Sequence, residues 1–405
     1  MARAPLSLSA YLAFARREPA GDPIERKPRP DGRILWLHCA DPARARALVQ
    51  LAQRLVSQRS DFTLLLTLPG GMRAPDDVRD SILTDTAPGE SPTEVAAFLN
   101  HWSPTVGLWL GQWLRPALTF EAHRRGVAMY LLDAGEPRLE NKRFRLLPEP
   151  TRATLRLFDA IFAHSSVAGT RIRRQLPEDA AVIDSGPVLE EGMVRRCNEG
   201  DLEELRSTLA GRPVWLAAMI QKGELDAIVS AHRATQRLSH RLMMVLVPGS
   251  PDLAVPFRER LRAADWRVAC WDDGEFPDEN TQILLSEDLK ELGLWYRVAP
   301  VTFMGSSLTP GFGGKNPMEP AALGSAVLYG PGVRNHLESY TRLARAGAAR
   351  IVRDSASLTA ALGLLTAPDQ IATMAQAGWE TVTESAETSD QIIAHVLDRL
   401  DEEGI

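Results

Sequence analysis

Cysteine is scarce in this chain: Cys39, Cys197 and Cys270 are the only three in 405 residues, far apart and without C-x-x-C spacing. That excludes a disulfide framework and a cysteine zinc site, and it fits a reducing compartment. Positive charge is not in excess either. The 46 Lys and Arg face 52 Asp and Glu, for a net charge of −6, so no global field recruits nucleic acid. The eight histidines are scattered and no HExxH occurs, so no metal site is expected. A GxGxxG after the first strand and a GKS/T phosphate loop are also missing. No apolar run reaches the roughly 18 residues that a membrane span needs. The N-terminal segment has a short apolar patch from Leu6 to Phe14 and no small-residue cleavage site, which argues against a signal peptide. Two descriptions of it stay open: an interfacial helix on a membrane surface, or a frayed terminal helix.

What is present is a repeated alternation of short apolar runs with amphipathic stretches. The runs Arg33–Cys39, Phe62–Leu68, Val106–Leu110, Val127–Leu132, Asp159–Ala163 and Ala181–Ile183 read as strands. Helical patterns separate them, including 42–55, Ser91–Trp102 with SPTE as a capping box, and Leu114–Arg125. After Gly186–Arg212, which carries a helix near Leu202–Leu209 and no strand signal, the alternation starts again. Strands are expected at Val214–Ala218, Arg241–Val247, Trp266–Cys270, Gln282–Leu285, Val301–Met304, Ala326–Tyr329 and Ala349–Val352. Three amphipathic segments should close the chain. Such alternation predicts an α/β fold with two parallel sheets covered by helices, in two domains, 1–187 and 188–405, divided near Pro187. The last helix, near Ser389–Leu400, is expected to return to the first domain.

The stretch VTFMGSSLTPGFGGKNPMEP, Val301–Pro320, stands out. An apolar strand is broken by Gly305, Ser306 and Ser307. A loop follows with glycines at Gly311, Gly313 and Gly314, where backbone can take positive φ or approach a ligand closely. Asn316 and Pro317 suit the N-cap and first position of a helix running through Glu319 to Leu323. Strand, glycine loop and helix start together aim free N–H groups at an anion, with Glu319 in reach of a ribose. The competing description is a glycine-rich turn required by packing alone.

This wording, continued as AALGSAVLYGP and followed by Asn335, resembles the C-terminal signature of the 3-deoxy-D-manno-octulosonic acid (Kdo) transferases, GGSL, then GGHNPLEPAA, then GP with a later Asn. The resemblance implies a GT-B glycosyltransferase, two Rossmann-like domains with parallel sheets facing a central cleft. It also implies inverting transfer of Kdo from CMP-Kdo to a lipid A precursor in lipopolysaccharide biosynthesis, without metal or cofactor. The setting it implies is the cytoplasmic face of the Gram-negative inner membrane, with peripheral membrane contact. Asn316, Pro317 and Glu319 match the family loop fully, and Lys315 replaces a His. Pro248, Gly249, Glu291, Ser306, Gly313, Gly314, Lys315, Asn316, Pro317 and Glu319 are the nucleotide-binding candidates on this basis. Gly223 and Glu224 are kept from a motif like STHEGE, while PRHPER has become PGSPDL at 248–253. KELGLWYRVAP keeps Glu291, Leu292, Tyr296 and Ala299.

The other half of the resemblance is broken at its chemistry. A motif like HAxSVGE reads HCADPAR here. His38 matches, but the catalytic Glu position holds Arg44. The acidic ETELWP motif aligns with GQWLRP, leaving Trp113 in place of a carboxylate, and Leu189 occupies the position of the family lysine. Inverting transfer needs a base for the acceptor hydroxyl. Asp41 is the nearest surviving carboxylate, and it also suits a plain helix cap. Two alternatives to a Kdo transferase therefore stay open: a catalytically silent paralogue that binds nucleotide or a partner, and a GT-B enzyme for another sugar nucleotide. Two basic clusters, Arg171, Arg173 and Arg174, and Lys142, Arg143 and Arg145, suit contact with lipid phosphate or a solvated helix face.

Overall fold

The apolar runs read as strands are buried along nearly their whole length, RILWLHC and VWLAAMI among them. Strands covered on both faces read as continuous apolar runs rather than alternating ones, the mark of a parallel sheet between helix layers. The structure is a computed structural model and describes residues 6–17, 21, 25–141, 148–192, 195–209, 211–365 and 367–402. The trio Lys142, Arg143 and Arg145 lies outside the described residues.

The chain divides into two units, Met1–Glu190 with Ser385–Ile405, and Glu191–Glu384. The first holds β1 (Arg33–Cys39), β2 (Phe62–Leu68), β3 (Leu83–Thr86), β4 (Val106–Leu110), β5 (Trp113–Leu114), β6 (Ala128–Ala134), β7 (Arg138–Leu139), β8 (Ala160–Ala163) and β9 (Val182–Asp184). Seven of them form one parallel sheet in the order β3-β2-β1-β4-β6-β8-β9, and β5 pairs with β7 apart from it. Alternate side chains go to opposite layers: Leu35 and Leu37 pack with the helix Ala45–Gln58, and Ile34 and Trp36 with Phe98, Leu99 and Trp102 of the helix Pro92–Trp102.

The second unit holds β10 (Val214–Ile220), β11 (Met243–Pro248), β12 (Val268–Cys270), β13 (Ile283–Leu285), β14 (Val301–Met304), β15 (Ala326–Tyr329) and β16 (Ala349–Ile351). They form a second seven-stranded parallel sheet, β12-β13-β11-β10-β14-β15-β16. Two doubly wound units are the composition of a GT-B chain. The strand order of the first sheet turns back between β1 and β4 and that of the second between β10 and β14, with β12 and β13 also out of sequence at its edge. Ligands of open parallel sheets bind outside the carboxyl ends of the strands at such a reversal.

Three local expectations change. The terminal helix Leu6–Ala15 is neither frayed nor an exposed interfacial face: Leu8, Tyr11 and Ala15 are buried, Leu8 against Ala153 and Leu157. The Tyr11 hydroxyl donates to Glu90 Oε2 at 2.7 Å. The SPTE capping box forms only half. Ser91 Oγ accepts from Glu94 N, but the Glu94 carboxylate turns to the N–H groups of Gly89 and Gly21, both at 2.5 Å. The three closing segments are two helices, Ser355–Leu364 and a continuous Pro368–Glu402. From Ser385 on, the second of these belongs to the first unit, where Ile392, Ile393, Val396 and Leu400 join the core under β1 and β2.

Candidate functional site

At the reversal in the first sheet, β1 ends at Cys39 and β4 at Leu110, followed by Gly111 with φ +105°. A cavity of about 530 Å³ opens there, lined among others by Asp41, Arg44, Trp113, Asp133, Glu136 and His164. Asp41 is an N-cap: its Oδ1 accepts from Ala43 N at 3.0 Å and fixes the turn Pro42–Arg44. The turn delivers Arg44 to Asp133, and Arg44 Nη2 also donates to Val188 O at 2.5 Å. Leu189, next to that carbonyl, is buried.

Asp133 sits at the end of β6 with φ +55°, a conformation uncommon for a non-glycine residue. The pairing of β6 with β8 slips between Leu131 and Ala134, on either side of it. Burial pushes its carboxyl above the usual carboxylate range, while the positive charges of Arg44 and His164 pull it back. Glu136 is shared by Arg138, at 2.6 Å, and Arg171, at 3.2 Å. Arg173 pairs with Asp184 at 2.7 Å, so two of the three basic residues of that helix are engaged within the unit.

His38, the matched residue of the family motif, lies in the core. Its Nδ1 is 3.1 Å from Thr67 Oγ1, which also accepts from Trp36 Nε1 at 2.8 Å, and its ring lies 3.9 Å from that of Trp109. Burial, aided by the Arg115 charge, holds its imidazole well below the usual range, so it stays neutral. Burial also pushes the Cys39 thiol up to about 12, which leaves it unreactive as a thiolate.

In the second unit the reversal lies between β10 and β14, where the glycine loop begins. Glu224, fully buried, organises it. Oε2 accepts from Gln221 N and Ser306 N, and Oε1 from Ser307 N and Leu308 N, all at 2.8 Å. Ser306 has φ +58°; its hydroxyl donates to Met219 O at 3.0 Å and accepts from Gln221 Nε2 at 2.9 Å. Its side chain therefore serves the loop itself. Pro248 ends β11, and Gly249 follows so close to Gln221 that an added Cβ would lie 2.2 Å from Nε2. Gly313 takes φ +79°, and a Cβ there would meet the Asn335 amide at 2.4 Å; Gly314 follows with φ +80°.

Beyond the glycines, Asn316 Oδ1 accepts from Met318 N at 2.9 Å and its Nδ2 donates to Glu191 O at 3.2 Å. The helix is later and shorter than the sequence suggests, Met318–Ala322 with Pro317 as the N-cap. One turn gives little macrodipole, so the anion-binding argument rests here on backbone N–H groups instead. Lys315 is half-buried and makes no ion pair among the described residues. Glu319 is buried and held by Arg195, Nε to Oε2 at 2.6 Å and Nη2 to Oε1 at 3.3 Å. Glu291 lies in the turn Leu289–Glu291; burial and the acidic neighbours Asp201, Asp288 and Asp272 raise its carboxyl.

Sequence reasoning missed Asp133 and Arg195. A signal existed for the first: LLDA places an Asp at the carboxyl end of an apolar strand, where parallel sheets bind ligands. None marked Arg195.

Known proteins resemble this chain in both halves. Residues 12–186 match the family model for 3-deoxy-D-manno-octulosonic-acid transferase (kdotransferase). The 3-deoxy-D-manno-octulosonic acid transferase of Haemophilus influenzae is 23% identical over 369 residues, covering 88% of this chain and 84% of that protein. The Bordetella pertussis protein of the same name is 26% identical, covering 87% and 84%. The probable mitochondrial 3-deoxy-D-manno-octulosonic acid transferase of Arabidopsis thaliana is 26% identical, covering 75% and 70%. Among solved structures, the C-terminal CMP-Kdo binding domain of WaaA from Acinetobacter baumannii is similar at 22% identity and TM-score 0.43, over 46% of this chain and 99% of that one. Over residues 12–186 the chain is therefore similar to the 3-deoxy-D-manno-octulosonic-acid transferase family model, and over most of its length to proteins that carry that name.

Proposed function

We propose that the chain is a glycosyltransferase of lipopolysaccharide biosynthesis that moves Kdo, or a related acidic sugar, from a CMP-activated donor to a lipid A precursor or similar glycolipid. One observation carries this: Asn316, Pro317 and Glu319, the fully matched residues of the family loop, stand at the strand-order reversal of the second sheet. In this reading the nucleotide binds at the glycine loop, with Pro248, Gly249, Ser306, Gly313, Gly314 and Lys315 shaping its walls and Glu291 nearby. The acceptor hydroxyl is activated in the cavity of the first unit. The protein works at the cytoplasmic face of the inner membrane, in peripheral contact with it. No helix among the described residues is long and apolar enough to cross a membrane.

A second reading is favoured by Arg44, which stands at the family's base position and cannot accept a proton: a silent paralogue that binds donor without turnover. A thermal-shift comparison of CMP, CMP-Kdo and UDP-sugars, followed by transfer to a tetraacyl lipid A precursor, separates the readings. A ligand at 100 times its Kd stabilises by about 2.7 kcal/mol. Stabilisation by CMP and CMP-Kdo with turnover supports the transferase, stabilisation without turnover the paralogue, and stabilisation by UDP-sugars alone an enzyme for another donor.

A further inference from the structure

We propose that Asp133 is the group that takes the proton from the acceptor hydroxyl in the first unit's cavity, an assignment that rests on the transferase reading. Three carboxylates line that cavity, and two are committed elsewhere. Asp41 is exposed and spends Oδ1 on the cap of its turn. Glu136 is exposed and divided between Arg138 and Arg171. Asp133 is only 8% exposed. One of its oxygens is held by Arg44, and Oδ1 accepts no hydrogen bond among the described residues.

The backbone supports the same choice. A non-glycine residue at φ +55° in a slipped strand pairing costs stability and persists only where its surroundings enforce it. Here the distortion falls at the carboxyl end of a central strand, on a cavity wall. Arg44 then has a role that does not require it to be a base. Its guanidinium fixes the carboxylate in one orientation by a charge-assisted bond, which makes Arg44 a positioning residue. The charged groups facing Asp133 are Arg44 and His164, and burial acts against both by favouring the protonated carboxyl. A carboxylate raised by burial is the better proton acceptor near neutral pH.

The step balances as follows. The acceptor hydroxyl proton passes to an Asp133 carboxylate oxygen. The freed O–H electron pair forms the new C–O bond to the anomeric carbon of the donor sugar. The bond from that carbon to the phosphate oxygen breaks, and CMP departs with its electron pair. Asp133 then returns the proton to water.

The test follows CMP release from CMP-Kdo with tetraacyl lipid A precursor, and CMP affinity, in wild type, Asp133→Asn, Asp41→Asn, Arg44→Met and the double variant Arg44→Met/Asp133→Asn. Asp133→Asn is expected to lower kcat by roughly 10²–10⁴-fold with CMP affinity unchanged. The double variant removes both charges, so no lone charge is left buried and folding is preserved, yet it stays as slow as Asp133→Asn. Arg44→Met slows turnover less and moves the acidic limb of kcat/KM to higher pH. The proposal fails if Asp133→Asn stays within a few fold of wild type, if the double variant regains activity, or if Asp41→Asn causes the deep loss instead. A wild type that binds CMP without turnover overturns the transferase reading and this assignment with it. Wild-type turnover that survives Asp133→Asn overturns the assignment alone.

Discussion

Arg195 grips Glu319 through two hydrogen bonds, of 2.6 and 3.3 Å, so the acidic residue of the matched loop is held in place by the segment that opens the second unit. The Arg195 side chain is about a third exposed and that of Glu319 a tenth. The pair therefore keeps one wet end while its carboxylate stays fixed.

The first prediction concerns this carboxylate as a ribose acceptor. Glu319→Ala should weaken CMP binding by roughly 1.5–3 kcal/mol, the worth of a hydrogen bond to a charged group. The fold should tolerate the change, because Arg195 can turn to water. Titration calorimetry with CMP checks this, and unchanged affinity would remove Glu319 from the nucleotide site.

Glu224 should be the least replaceable residue of the loop. Oε2 accepts two backbone N–H groups, and Oε1 accepts two at 2.8 Å and a third, from Thr309, at 3.4 Å, so in either amide orientation Glu224→Gln sets an NH₂ against at least two donors. It also forfeits bonds to a charged group worth about 1.5–3 kcal/mol each. A loss of at least about 3 kcal/mol is expected, roughly 6–12 °C in the melting temperature of a unit of this size. Differential scanning calorimetry reads this directly, and a Gln variant as stable as wild type would mean that these bonds contribute little.

Acid should weaken the second unit through His232. Its Nδ1 accepts from Trp215 Nε1 at 3.2 Å, its Nε2 faces Gln282 O at 3.1 Å, and its ring stacks on Trp266. Burial lowers its pKa to about 4 from the ordinary 6.5. Below 6.5 the unfolded chain binds a proton that the folded protein refuses, so stability present at neutral pH is lost as pH falls from 6.5 through 4. The full difference is about 3 kcal/mol. Denaturant melts across this range should show the decline in wild type and a flatter profile in His232→Gln.

The terminal helix should behave as core. Leu8 is fully buried against Ala153 and Leu157, so Leu8→Ala should cost about 2–5 kcal/mol and leave sedimentation with anionic vesicles unchanged. A variant of normal stability that loses vesicle binding would restore the interfacial description.

Much of the architecture was written locally. A strand buried on both faces must be apolar at every position, so RILWLHC and VWLAAMI are visible in a single line of sequence. The glycines of the 311–314 loop are also legible, because no other residue adopts their positive φ at so little cost. The shortest elements escaped notice: β3, β5 and β7 are two to four residues long and carry no periodicity.

The sequence by itself determined which of the longer segments are strands, that they form two parallel sheets, and which loop follows the central strand of the second. It also put an arginine, Arg44, where the resemblance implies a catalytic Glu. What that arginine does was decided only by the tertiary structure, because its partner Asp133 lies 89 residues away and reaches it through the β1-β4-β6 strand order. Arg195 meets Glu319 across 124 residues for the same reason. Burial is imposed on each residue separately and leaves a local mark, whereas an ion pair depends on two positions that only the sheet order brings together.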